Sequence, residues 1–311
     1  MTVLFVSENT LERAENLRAL FDAYDGEKTF EQGWESYVSG KYPVAVIDTM
    51  PPFMPDKKTT VVFIGHGMTG DKLYGFDQLA KYVDERVRGQ IDYAICPSSN
   101  WRMRSIIASQ TGCKRVLSLG FPRSDALVRN RGKLNENRTY FYAPTFRGIN
   151  DGLRLPRIDW KKLDSLLEDD ERIIVKRHYF QNKEIVGCEC ARIAEVEQLA
   201  ASTPYLITCD VLISDYSSII FDAYVCGKPV VLTIDDSAEY SMTRGMYLNY
   251  PKKYSSRWLK VEGNEAELVD MLREASRNGM TESDRNTRDF VANMCDGHSC
   301  ERICELIGTI L

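Results

Sequence analysis

Along this chain, short apolar runs rich in Val, Ile and Phe alternate with longer stretches whose apolar residues recur at helical spacing. Runs of the first kind mark strands buried on both faces, and the longer stretches mark helices laid against them. Their alternation predicts an α/β protein of parallel strands joined by crossover helices. In the first half, strands are expected near 3–6 (VLFV), 44–48 (VAVID), 61–65 (VVFIG), 93–96 (YAIC) and 116–120 (VLSLG), with helices over 10–24, 77–87 and 100–111. The segment from Leu127 to Arg138 is polar, carries a glycine and follows neither period, so it reads as a linker. A second series is expected near 140–144 (YFYAP), 172–176 (RIIVK), 205–208 (YLIT), 211–215 (VLISD) and 230–234 (VVLTI). The stretch from about Ser283 to Leu311 predicts two helices broken at Asp296-Gly297. There is no internal repeat.

Length turns this pattern into a domain expectation. At 311 residues the chain exceeds one ordinary hydrophobic core. Two Rossmann-like domains are expected, 1–130 and 131–282, with 283–311 as helices that cross back to the first. A net charge of -5 argues against general nucleic-acid binding, which leaves a basic footprint. The opening apolar run is too short for a signal-peptide core or a membrane span, so a cytoplasmic location is expected. Nine cysteines, an odd number spread along the chain, fit reduced thiols. Neither Cys188 with Cys190 nor Cys295 with Cys300 and Cys304 has the paired spacing of a zinc module, so no metal ligands are assigned.

Candidate chemistry collects where strand patterns end. After 211–215 come Asp215, Tyr216, Ser217 and Ser218, then an apolar helix stopped by Gly227 and Pro229. The first turn of such a helix offers unpaired N–H groups and partial positive charge, which suit a phosphate, although a serine there also serves as a plain cap. His66, between Gly65 and Gly67, follows another strand and is a candidate for proton transfer near neutrality. His178 follows a third strand behind Lys176 and Arg177, and alternation puts Lys176 and His178 on one face. Arg123 and Arg147 sit on proline-stiffened turns and are candidates to clamp phosphate. Between Trp101 and Lys133 there are eight Lys or Arg against the single acid Asp125, a locally basic stretch suited to a polyanionic acceptor or an anionic leaflet, or simply a solvated face.

In this order and at these separations the segments resemble the CDP-glycerol glycerophosphotransferase family, the teichoic-acid primases and polymerases. The resemblance rests on His66-Gly67 with Lys72 and Gly75, on Gly120–Asp125, on Tyr142–Arg147, on Lys176-x-His178 and on Asp210–Ser218. Arg244-Gly245-x-Tyr247 and Asp296-Gly297-x-Ser299-x-x-Arg302 complete it. It implies a GT-B architecture, two Rossmann-like halves facing across a cleft, with the donor nucleotide on the second half. It further implies His66 and His178 as catalytic histidines, and Arg147, Lys176, Ser217, Ser218, Arg244 and Arg302 around the donor phosphates. Gly67, Lys72, Arg123 and Asp215 would lie on the acceptor side or position the site. Gly65 stands where the family commonly has Trp, and Met68–Asp71 separates Gly67 from Lys72, which implies different acceptor contacts.

The implied reaction is transfer of glycerol phosphate from CDP-glycerol, or of ribitol phosphate from CDP-ribitol, to a polyol-phosphate or glycan acceptor, free or lipid-linked. CMP leaves, in teichoic-acid or capsule-type synthesis at the cytoplasmic face of the membrane. No nucleic-acid partner and no cofactor is implied; a divalent ion such as magnesium is compatible but not indicated. Two alternatives stay open: a GT-B nucleotide-sugar glycosyltransferase, and a silent donor-binding scaffold.

Overall fold

A computed structural model describes residues 1–51, 58–67, 89–132, 136–147, 154–181, 183–244 and 255–311. The helix expected over 77–87, Lys72, Gly75, Gly245 and Tyr247 fall outside them, as does the side chain of Arg244. The chain divides into two compact units, one of residues 1–70, 74–129 and 289–311, the other of 71–73 and 130–288.

The first unit is built on six parallel strands: β1 (Val3–Ser7), β2 (Lys28–Gln32), β3 (Val44–Ile47), β4 (Thr60–Phe63), β5 (Tyr93–Cys96) and β6 (Arg115–Ser118), in spatial order β2-β1-β3-β4-β5-β6. Among its described helices are α1 (Glu15–Ala23), the short α2 (Glu35–Val38), α3 (Trp101–Thr111) and α4 (Ser124–Arg129). Val3, Phe5, Val44, Val46, Val62 and Ile64 supply one face of the sheet to a core shared with Leu17 and Leu20 of α1. The last helix of the chain (Ser299–Ile310) closes the same core with Ile303 and Ile307. At the start of α3 the Asn100 carboxamide accepts from Arg102 N at 3.0 Å, a side-chain N-cap.

The second unit carries β7 (Arg138–Tyr142), β8 (Glu171–Val175), β9 (Ile193–Glu195), β10 (Val211–Ser214), β11 (Val230–Thr233) and β12 (Trp258–Leu259). All are parallel, in the order β12-β11-β10-β7-β8-β9. Renumbered from β7, this is the doubly wound Rossmann order, whose reversal point lies between the first and fourth strands, here β7 and β10. Its helices are α5 (Trp160–Leu166), α6 (Thr203–Thr208), α7 (Ile219–Cys226), α8 (Ser237–Arg244), α9 (Glu265–Asn278) and α10 (Glu282–Ala292), the last running into the first unit; the closing helix is α11.

Two expectations are corrected. The segment 205–208, read as a strand, is the body of α6: Pro204 sits in the first turn, where its fixed φ favours a helix and its missing N–H costs nothing. Leu206 is buried and Tyr205 packs on Phe141 of β7, ring centroids 5.6 Å apart, so the apolar run covers the sheet rather than joining it. The supposed linker is helical through Arg129, and β7 begins at Arg138. The unexpected strands β2, β9 and β12 are edge strands or very short, and half-exposed KTFEQ in β2 offers no apolar run to read.

Candidate active site

The carboxyl edge of the second sheet concentrates the expected donor residues. In open α/β sheets ligands settle there, beside the point where strand order reverses. From β10 the chain passes through buried Asp215 and Tyr216 to half-buried Ser217 and Ser218 and enters α7. Ser218 occupies the N-cap position without making a side-chain cap bond, while Ile219 N reaches the Ser217 hydroxyl at 3.4 Å. The helix ends as expected at Gly227, left-handed with φ 81°.

From β8, one strand beyond β7, come Lys176 and His178. The imidazole lies among three aromatic rings, with centroids 4.8 Å from Phe146, 4.4 Å from Tyr179 and 5.6 Å from Phe180. Its Nδ1 accepts the Phe180 backbone N–H at 3.2 Å, which in the neutral ring leaves the proton on Nε2. His178 is thereby arranged as a hydrogen-bond donor. Gln198, which sequence reasoning missed, orders this segment: its side-chain amide nitrogen donates to the carbonyls of His178, Tyr179 and Gln181, and its backbone carbonyl accepts from Lys176 Nζ at 3.5 Å. Arg177 turns to an ion pair with Glu195 at 3.4 Å, as alternation along the strand required.

Arg147, expected as an open phosphate clamp, is instead a buried tie beneath the reversal point. Its side chain is 3% exposed and pairs with Asp215 at 2.9 Å and with Asp236, after β11, at 2.8 Å. A further bond runs to Thr145 O at 2.7 Å. The guanidinium also lies over the rings of Tyr216 and Tyr240, which stack 4.0 Å apart. Burial opposes its charge, but Asp215 and Asp236 outweigh that and hold it protonated above the usual arginine range. Tyr216 donates to Asp236 at 3.0 Å, and burial followed by these two carboxylates pushes its phenol up. Asp215 also accepts from Thr145 N and Tyr216 N, so this charged knot fixes the turns after β7, β10 and β11 together.

The first unit places His66, exposed, and Gly67 directly after β4. Here again a polar residue that the pattern did not single out carries the geometry. Asn16 of α1, 2% exposed, donates to the carbonyls of Ile64 (3.1 Å) and Gly65 (2.7 Å) and accepts from Arg123 N (3.1 Å). Arg123 Nη1 in turn donates to His66 O at 3.1 Å. The signal for Asn16 was an amide standing between Ala14, Leu17 and Leu20 on an otherwise apolar helix face.

The remaining landmarks lock to one another inside this unit. Both Asp125 carboxylate oxygens cap α11, accepting from Ser299 N at 2.9 Å and Cys300 N at 2.8 Å. Gly120, at φ 90°, passes so close that a Cβ would lie 2.5 Å from Met294 O and collide with the Ser299 hydroxyl. Arg302 bonds Leu119 O, Met294 O and Asp296, whose carboxyl it holds below the usual range. Arg302 thus lies in the first unit, tied to the turn after β6 and to the start of the closing segment. Among the described residues, no group of three or more His, Cys, Asp or Glu is placed to hold a metal ion, and all nine cysteines are free thiols.

Two parallel six-stranded sheets, one in Rossmann order with a serine-led helix at its reversal point, define an α/β protein of the GT-B class. A solved structure of the wall teichoic acid polymerase TagF superposes on 99% of this chain and 88% of its own with a TM-score of 0.75 at 20% identity. The chain belongs to the CDP-Glycerol:Poly(glycerophosphate) glycerophosphotransferase family, whose profile matches residues 2–309. It is 27% identical over 240 residues to the teichoic acid glycerol-phosphate transferase of Staphylococcus aureus (strain NCTC 8325 / PS 47), covering 70% of this chain and 60% of that one. It is 24% identical over 296 residues to the teichoic acid ribitol-phosphate polymerase TarL of the same strain, covering 86% and 51%. The chain therefore spans 60% and 51% of the lengths of these two relatives.

Proposed function

We propose that this chain transfers glycerol phosphate, or a related polyol phosphate, from its CDP derivative to an acceptor hydroxyl. The observation that carries the reading is the shared carboxyl edge of the second sheet, where Lys176 and His178 follow β8 and Ser217-Ser218 open α7 beyond β7. A pyrophosphate seated against α7 meets backbone N–H groups, the helix dipole and the Ser217 hydroxyl. His178, with its neutral proton on Nε2, and Lys176 then donate toward the oxygens that gain charge.

In this mechanism the acceptor oxygen attacks the β-phosphorus in line. A new P–O bond forms, the bridging P–O bond breaks, and CMP leaves with the bonding pair. His66 takes the acceptor proton. Gly67, Lys72 and Arg123 belong to the acceptor side, Ser218 and Arg244 to the donor side, and Asp215 with Arg147 keeps the donor turns in place. The acceptor is a polyol phosphate or glycan, met at the cytoplasmic face of the membrane. Trp101, 76% exposed and next to Arg102, supports contact with an anionic surface there. Among the described residues, no helix is long and apolar enough to cross a membrane.

The test is to incubate purified protein with CDP-glycerol, CDP-ribitol and nucleotide sugars beside an acceptor panel, then identify the released nucleotide. Acceptor-dependent CMP supports the reading. A nucleoside diphosphate identifies a glycosyltransferase instead, and donor binding without turnover identifies a scaffold.

A further inference from the structure

We propose that Asn16 is a positioning residue for His66, acting through a closed hydrogen-bond circuit that pins the peptide planes on both sides of that histidine. The inference rests on the reading of His66 as the proton acceptor.

The circuit has four links. Asn16 Nδ2 holds the carbonyls of Ile64 and Gly65, so the peptide carrying the N–H of His66 cannot rotate. Asn16 Oδ1 holds Arg123 N. The Arg123 guanidinium returns to His66 O and fixes the next peptide. Gly65, at φ 67°, supplies the left-handed turn that this path requires. Strands β4 and β6 are not neighbours, since β5 lies between them, and Asn16 from α1 joins the loops that follow them.

The residue type matters. Two donors and one acceptor on a single short side chain are offered by a carboxamide alone. Aspartate in the same volume would turn a carboxylate toward two carbonyl oxygens, and an apolar residue would leave all three backbone groups unanswered. Asparagine is also a poor choice for a buried helix position flanked by Ala14 and Leu17, where the pattern calls for an apolar side chain. Holding a general base within about 0.5 Å of its productive position is a role such a circuit can perform.

The test is a double-mutant cycle in the CMP-release assay. Asn16→Asp is expected to lower kcat about tenfold or more with donor KM changed less than about twofold, and to cost under about threefold in a His66→Ala background. Wild-type kcat in Asn16→Asp, or an equal loss in both backgrounds, would overturn the proposal. If Asn16→Asp does not fold, Arg123→Met, which removes the guanidinium donor to His66 O, is expected to show the same coupling to His66→Ala and decides by the same criteria. A readout independent of turnover is the nitrogen-15 spectrum of the imidazoles, simple to assign with three histidines in the chain. The His66 signals should shift or broaden in either variant while those of His298 stay fixed, and unchanged His66 signals contradict the circuit. Should His66→Ala itself retain wild-type turnover, the base assignment falls. Should only the Asn16 and Arg123 variants behave as wild type, this inference alone falls.

Discussion

At the residue scale, the proposed mechanism divides the chemistry between His66 as proton acceptor and His178 as charge-stabilising donor. His66→Ala and His178→Ala are each expected to lower turnover at least about a hundredfold, measured as CMP release by folded variants. Near-normal rates would remove the assignments. Asp48, at the end of β3, makes the opposite kind of prediction. It is 1% exposed, takes one bond from Ser7 at 3.1 Å, and its Oδ1 has no hydrogen-bond partner among the described residues. Burial, helped by nearby Glu8 and opposed by the Ser7 and Thr49 hydroxyls, pushes its carboxyl up to about 6 from 3.8. A folded-state value above the unfolded one means the fold favours the protonated form, so Asp48 weakens stability as pH rises from about 4 through about 6. At about 1.4 kcal/mol per unit, the burden at pH 8 is about 3 kcal/mol. Asp48→Asn should therefore raise the melting temperature at pH 8 and leave it nearly unchanged at pH 4; equal effects at both would contradict the burial account.

At the scale of elements, landmarks that look alike in the sequence separate into those the proposed mechanism assigns to ligand and those that hold loops. The turn after β6 is clamped by α11 through Asp125, Gly120 and Arg302, all within the first unit. Gly120→Ala is expected to destabilise by about 1–3 kcal/mol in urea unfolding, since the added methyl meets backbone and φ is positive. Arg302→Met should lower stability while leaving the donor KM unchanged. A raised donor KM with unchanged stability would return Arg302 to the donor site. These roles were not legible in the sequence because a spacing names the residue but not its partner. Arg147 shows why: a proline-stiffened arginine reads as a clamp, and only Asp215 and Asp236, well downstream, reveal it as a tie. The buried central strands were readable from their apolar runs. Strand β2 was not, because an edge strand needs no apolar run, and 205–208 was misread because a helix lying on a sheet can be as apolar as a strand.

At the scale of the whole molecule, the two sheets were legible because apolar runs and their intervening helices are what burial on both faces demands. The candidate site was half legible. His66, His178 and the Ser217 turn could be read as candidate chemistry at strand ends, whereas Asn16 and Gln198 are amides whose value lies only in the backbone carbonyls they hold beside the two histidines. The central claim joins these pieces into one reaction: phosphoryl transfer with cytidine monophosphate as leaving group. The most direct measurement is quantification of nucleotide released from CDP-glycerol and CDP-ribitol by the purified protein, with and without acceptor, for wild type and His178→Ala. The account predicts CMP in equal amount to new phosphodiester, dependent on acceptor and lost in the variant. Release of a nucleoside diphosphate from a sugar donor, or no release from either CDP donor with any acceptor, would contradict it.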